Sequence, residues 1–142
     1  MARLKLDRPR VVHFSTEIPI RISDINYGNH LGNDALLSLV HEARVRFFKQ
    51  YNYSELNVDG AAIIMSDVAI VYKSEAFYGE TLRFDIAAVD FHRFGCDLVY
   101  GIANRESGKE VARAKTGIVF FDYAKKQLIA VPEKFQSLFS SS

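Results

Sequence analysis

The stretch Ser23-Asp24-Ile25-Asn26-Tyr27-Gly28-Asn29-His30-Leu31-Gly32, continuing into Asn33 and Asp34, separates a strand-like segment from a long helical one. It is dense in turn formers, and either Asn33 or Asp34 can cap a helix by accepting backbone N–H bonds. From Ala35 to about Tyr51 the apolar residues Leu36, Leu39, Val40, Ala43 and Phe47 recur at helical spacing, and Leu37 and Phe48 widen the stripe. So wide a stripe implies burial over much of the circumference, as in a helix wrapped by a sheet. Asp34 in the first turn and Lys49 in the last are in the order that the helix dipole favours, and Glu42 with Arg46 makes a four-apart ion pair.

Upstream, residues 11–22 alternate, with Val12, Phe14, Ile18, Ile20 and Ile22 on one side and His13, Ser15, Glu17 and Arg21 on the other, which predicts a half-buried strand. Pro19 cannot donate to a ladder, so that strand is expected at a sheet edge or with a bulge. Downstream, Ala61–Tyr72, Thr81–Phe91, Cys96–Ala103 and Glu110–Asp122 read as four strands. The separators 92–95 and 104–109 are short and turn-like, which favours antiparallel neighbours. Pro132 sits where a short closing helix would begin. The expected fold is α+β in β-α-β-β-β-β order, an antiparallel sheet of about five strands around one long central helix. One helix covers only part of such a face, so self-association as a two-fold dimer is the natural remedy.

The whole chain, 1–142, is short enough to be one domain, and 49% hydrophobic with 25% charged residues are globular proportions. Eighteen Lys and Arg against 17 Asp and Glu is too balanced for a protein that wraps phosphate backbones, so no nucleic acid partner is expected. Cys96 is the single cysteine, which excludes an intrachain disulfide, and no Cys/His spacing resembles a metal site. No apolar run approaches the roughly 20 residues of a membrane span, and residues 1–10 lack the apolar stretch of a secretory signal, so a cytoplasmic location is expected.

Nucleophile and nucleotide signatures are missing: there is no G-x-S-x-G, no P-loop, no G-x-G-x-x-G and no H-E-x-x-H. The polar loop 24–32 at the start of the one long helix remains. A helix N-terminus offers N–H groups and a partial positive charge to an oxygen that gains negative charge during reaction, which makes this an oxyanion-site candidate.

The run Asp24 to Asn33, with His41-Glu42-Ala43-Arg44 in the helix, resembles the D-x-D-x-x-G-H-x-N-N … E-E-A-R pattern of hot-dog-fold acyl thioesterases, the 4-hydroxybenzoyl-CoA thioesterase-like and acyl-carrier-protein thioesterase groups. Tyr72 to Ala76, Gly79 and Glu80 are similar to a hairpin of the same family, and the resemblance covers about residues 11–122. It implies a hot-dog domain, paired as homodimer or homotetramer with active sites at subunit interfaces, hydrolysing an acyl-CoA or acyl-carrier thioester without cofactor or metal. The chain departs from the pattern where many members carry a catalytic Asp: it has Asn26 there, and Gly28 two residues before the His. Other hot-dog thioesterases pair a loop Asn or Gln with a helix carboxylate about fifteen residues on, and Glu42 lies sixteen after Asn26.

Thioester hydrolysis needs a polarised carbonyl and an activated water or attacking carboxylate. Backbone N–H groups of Leu31, Gly32 or Asn33 are candidates for the first. Glu42, then Asp24 and His30, are candidates for the second, with Asn26 holding the water or the thioester. Each has a plain structural alternative: an Asx turn for Asp24 and Asn26, loop packing for His30, and the Arg46 ion pair for Glu42. Two rival functions share the fold, a non-catalytic thioester-binding or assembly module that has lost its base, and a dehydratase acting on hydroxyacyl thioesters.

Overall fold

Alternation of period two builds five long strands, and the computed structural model, which describes residues 3–140, joins them antiparallel in the order β1-β3-β4-β5-β2. They are β1 (Phe14–Pro19), β2 (Ala62–Tyr72), β3 (Thr81–His92), β4 (Gly95–Asn104) and β5 (Glu110–Asp122), and a two-residue strand β6 (Gln127–Leu128) adds to the end of β5. The α+β hot-dog architecture is therefore present, with α1 (Asn33–Gln50) as its one long helix and a second helix, α2 (Glu133–Phe139), near the C-terminus.

β1 is shorter than the alternation implies. It pairs only with β3, from Phe14 opposite Ile86 to Pro19 opposite Thr81, so the proline sits at the end of an edge strand where its missing N–H costs no bond. Val11 and Val12 are exposed on the segment leading into the strand. Pairing beyond Pro19 gives way to a 3₁₀ turn, Ile22–Asp24.

The core is the layer between α1 and one face of the sheet. Leu36, Leu39, Val40, Ala43, Phe47 and Phe48 meet Leu82, Phe84, Ile86, Leu98, Ile102 and Ile118 there. The helix starts earlier than expected and its N-cap is Gly32, with no side-chain cap, so neither Asn33 nor Asp34 plays that part. Leu37 is exposed rather than part of the stripe, whereas Arg44 is buried in it. α2 places Phe135 and Phe139 against Phe47, Phe48 and Phe120, ring centroids 5.4–6.1 Å apart across these pairs, and so closes one end of the layer. At the other end lies the loop that precedes α1.

Candidate active site

The loop between the 3₁₀ turn and α1 is a miniature hairpin. Ile25 bridges Leu31, the Asn26 N–H donates to the His30 carbonyl (2.9 Å) and the Asn29 N–H to the Asn26 carbonyl (3.0 Å), with Asn29 at φ 65°. Asn tolerates that left-handed conformation because its short side chain is accommodated locally. The Asn26 Oδ1 accepts from the Gly28 N–H at 2.9 Å. A Cβ on Gly28 would stand 3.3 Å from both Asn26 Oδ1 and His30 Nε2, so both polar atoms lie beside the glycine. His30 Nδ1 stands 3.2 Å from the Leu31 carbonyl oxygen. That oxygen can only accept, which puts the proton of the neutral ring on Nδ1 and leaves Nε2 with a lone pair.

The segment after β2 folds against this hairpin: the Leu31 N–H donates to Ala76 O at 2.8 Å. Between them is a cavity of about 260 Å³, lined by His30, Leu31, Gly32, Asn33 and Leu36 on the α1 side and by Tyr72 to Ala76 with Val111 on the other. The polar members of the lining are His30, Asn33, Tyr72, Lys73, Ser74 and Glu75, and the apolar ones Leu31, Leu36, Ala76 and Val111. Burial and then the neighbouring Asp34 carboxylate push the Tyr72 phenol above its ordinary range, and its hydroxyl donates weakly to the Asn33 carbonyl at 3.4 Å.

The three candidate amides differ. Leu31 N–H is taken by Ala76, and Gly32 N–H donates to Asp24 O at 3.0 Å. Asn33 N–H, the first of α1, has no acceptor among the described residues, so it is the free donor at the positive end of the helix dipole.

Fold, loop and cavity agree with one finding: the profile of the thioesterase-like superfamily matches residues 20–139. The chain belongs to that superfamily. Among solved structures it is similar to a 1,4-dihydroxy-2-naphthoyl-CoA thioesterase from Synechocystis, 20% identical over 89% of this chain and 94% of that one, TM-score 0.80. It is also similar to a thioesterase complexed with coenzyme A and Zn from Thermus thermophilus (15% identical, 92% and 95% covered, TM-score 0.76) and to a predicted thioesterase from Bacillus stearothermophilus (16%, 89% and 92%, TM-score 0.78). No curated protein matches the chain. At such identities the likeness is one of fold.

Within this thioesterase-like chain the candidate carboxylates lie apart from the cavity. Asp24 is buried and accepts from the Arg21 N–H (2.8 Å) and the Arg21 guanidinium (3.2 Å), an engagement that holds the 3₁₀ turn. Glu42 is exposed and held by Arg46 Nε at 2.8 Å, while Arg46 also bonds Thr16 and the Glu17 carbonyl of β1. The loop thus brings His30 and Asn33 to the cavity, Asn26 is in the hairpin but not in the lining, and one chain does not add Glu42. Sequence reasoning gave no place in the site to Ser74, Glu75 or Val111 and read Leu36 only as part of the apolar stripe of the helix, although Tyr72–Ala76 stands out as a family-like hairpin. Among the described residues no three His, Cys, Asp or Glu side chains gather as a metal-binding group, and no helix is long and apolar enough to cross a membrane.

Proposed function

We propose that the protein hydrolyses an acyl thioester in the cavity at the N-terminus of α1. The observation that carries the reading is that Asn33, whose amide is free, and His30, whose Nε2 keeps a lone pair, line the same cavity with Leu31, Leu36, Ala76 and Val111. In the proposed reaction the thioester carbonyl oxygen accepts from the Asn33 N–H, whose fixed direction favours the negative charge that develops there. His30 Nε2 takes a proton from a water, the water oxygen bonds to the carbonyl carbon, and the carbon–sulfur bond breaks as the proton passes to the departing sulfur. The products are a carboxylic acid and a thiol. Asn26, beside the same glycine as His30, holds the water.

Glu42 enters this reading only across a subunit interface, because in its own chain Arg46 holds it outside the cavity. A homodimer or homotetramer would therefore complete the site. The test is thiol release from a panel of acyl-CoA and acyl-carrier thioesters. His30→Ala is expected to lower kcat about a hundredfold or more, and Glu42→Ala separates the single-chain from the shared site. A full rate in His30→Ala overturns the assignment.

One observation favours a second reading, a non-catalytic thioester binder: the family's acid is replaced by Asn26, whose Oδ1 is already engaged by the loop. That reading predicts calorimetric binding of an acyl-CoA without any thiol release.

A further inference from the structure

The proton donors that line the cavity with Asn33 differ in what they already hold. The Ser74 hydroxyl donates to the Glu110 carbonyl at 2.6 Å, so its one proton is taken. Lys73 is exposed and carries its charge on a flexible four-carbon stem. The Tyr72 hydroxyl donates to the Asn33 carbonyl at 3.4 Å, near the outer limit for a hydrogen bond, and has no other hydrogen-bond partner among the described residues. It is thus a loosely engaged donor beside the residue whose amide is free.

The strand register fixes where this phenol stands. Tyr72 is the last residue of β2 and pairs with Ala112 of β5. Ala112 is fully buried in the core, and residues paired across two strands project to the same face, so the Tyr72 ring leaves the sheet on the α1 side. Directly beyond, a β-bulge interrupts the ladder: on β4 Ile102 pairs with Ala112 and Ala103 with Glu110, leaving Val111 as the extra residue on β5. The N–H groups of Lys73 and Ser74 both donate to the Val111 carbonyl, at 2.8 and 3.2 Å. The chain therefore turns off the sheet after Tyr72 and runs to Ala76, where it meets Leu31 of the hairpin. Bulges re-aim chains and side chains beside active sites. This one leaves the Tyr72 backbone in the ladder and its hydroxyl against the first residue of α1.

The reach is sufficient for a shared acceptor. The amide nitrogen and carbonyl oxygen of one residue are about 3.5 Å apart, so the Tyr72 hydroxyl lies within roughly 7 Å of the free Asn33 nitrogen. An oxygen that accepts from two donors at about 2.9 Å each spans almost 6 Å. A turn of the phenol by about 1 Å closes the difference, and such bonds are commonly long before substrate arrives. Burial and the Asp34 carboxylate keep the phenol protonated at neutral pH.

We propose that the Tyr72 hydroxyl is a second donor to the thioester carbonyl oxygen, forming a two-donor oxyanion site with the Asn33 amide. This rests on the thioester reading of the cavity. The hydroxyl exchanges its weak bond to the Asn33 carbonyl for one to the substrate oxygen, which strengthens as negative charge develops there. Tyr72 keeps its proton throughout.

The test joins kinetics to binding. Tyr72→Phe keeps the ring and removes only the hydroxyl, and should lower kcat for thiol release on the order of a hundredfold while KM stays within about threefold. Calorimetry then compares S-acetonyl-coenzyme A, a plain ketone, with S-trifluoroacetonyl-coenzyme A, whose hydrated ketone resembles the tetrahedral intermediate. The wild-type protein should bind the fluorinated ketone at least about tenfold more tightly, and Tyr72→Phe should lose most of that preference while holding the plain ketone as before. A merely structural hydroxyl would weaken both ketones alike. An unchanged kcat, a change in KM alone, equal wild-type affinity for the two ketones, or equal loss of both in Tyr72→Phe overturns the proposal, and thiol release by the wild type would then leave the hydrolytic reading intact. A wild-type protein that releases no thiol, yet shows the preference and loses it in Tyr72→Phe, would overturn the hydrolytic reading and leave the two donors standing.

Discussion

Arg44 is a cation in a position its type seldom occupies: its side chain is 7% exposed, in the apolar stripe of α1. Its Nε donates to Glu55 at 2.6 Å and a terminal nitrogen approaches Met65 Sδ, while His41 Nε2 meets the other Glu55 oxygen at 3.0 Å. Beneath lies a buried hydroxyl pair, Tyr100 with Thr116, 2.8 Å apart. Burial alone would raise the Glu55 carboxyl, but the bonds from Arg44 and His41 outweigh it and hold the group below its ordinary value of 4.5. A carboxyl lowered in this way stabilises the fold above its unfolded pKa, and that contribution disappears as pH falls through the folded one. Glu55→Gln is therefore expected to cost about 3 kcal/mol near neutral pH, since it leaves a buried guanidinium without its counter-charge. In urea unfolding monitored between pH 7 and 3, the gap between wild type and Glu55→Gln should narrow at the acid end. A gap that stays constant with pH would mean that the loss does not come from the carboxylate's charge. Cys96 makes a second case at this scale: burial, with help from Asp97, pushes its thiol up to about 12, so alkylation should track global unfolding and show no fast phase.

α2 does more for the molecule than its seven residues imply. Phe135 is fully buried and its ring meets those of Phe48, Tyr53, Phe91, Phe120 and Phe139 at centroid distances of 5.1–6.1 Å. Phe135→Ala should destabilise by about 3–5 kcal/mol, measurable by denaturant unfolding, because the cavity it leaves lies among rings from several other elements. A loss under about 1 kcal/mol, the scale of a well-tolerated core change, would show that the end of the layer closes without α2. In the sequence this helix is visible only as Pro132 at its start, whereas α1 and β2–β5 are legible from their periods. Period reports which face an element buries, not which residues stop pairing, and so the residues before Phe14 read as strand although Val11 and Val12 lie outside the ladder. The site divides the same way. The hairpin holding Asn26, His30 and Asn33 is local, and its turn residues announce it. Its opposite wall depends on Leu31 meeting Ala76 and on a bulge at Val111, long-range contacts set by strand register that no local pattern carries.

At the scale of the whole molecule the sheet has two edges, and they differ in kind. β1 is six residues long and ends in Pro19, which blunts it. β2 is eleven residues long, pairs only with β5, and exposes Met65 at 44% and Val68 at 42%. The irregularity between Met65 and Asp67 and the pairing of Asp67 with Lys115 on β5 place one bulge and one charge along it. An edge so long and apolar is a template for another strand, and a second copy would cover it by two-fold pairing with the same edge. Such pairing would run antiparallel, setting the Tyr72 end of β2 in one protomer beside the Ala62 end of its partner, and a carboxylate like Glu42 would serve a cavity in another subunit only through such an interface. Val68→Lys places a charge at the middle of that edge and should shift the protein from dimer towards monomer in sedimentation velocity. Thiol release should fall in parallel if the site is shared. A monomeric Val68→Lys protein that keeps the wild-type rate would mean that His30 and Asn33 of a single chain suffice, and would remove Glu42 from the chemistry.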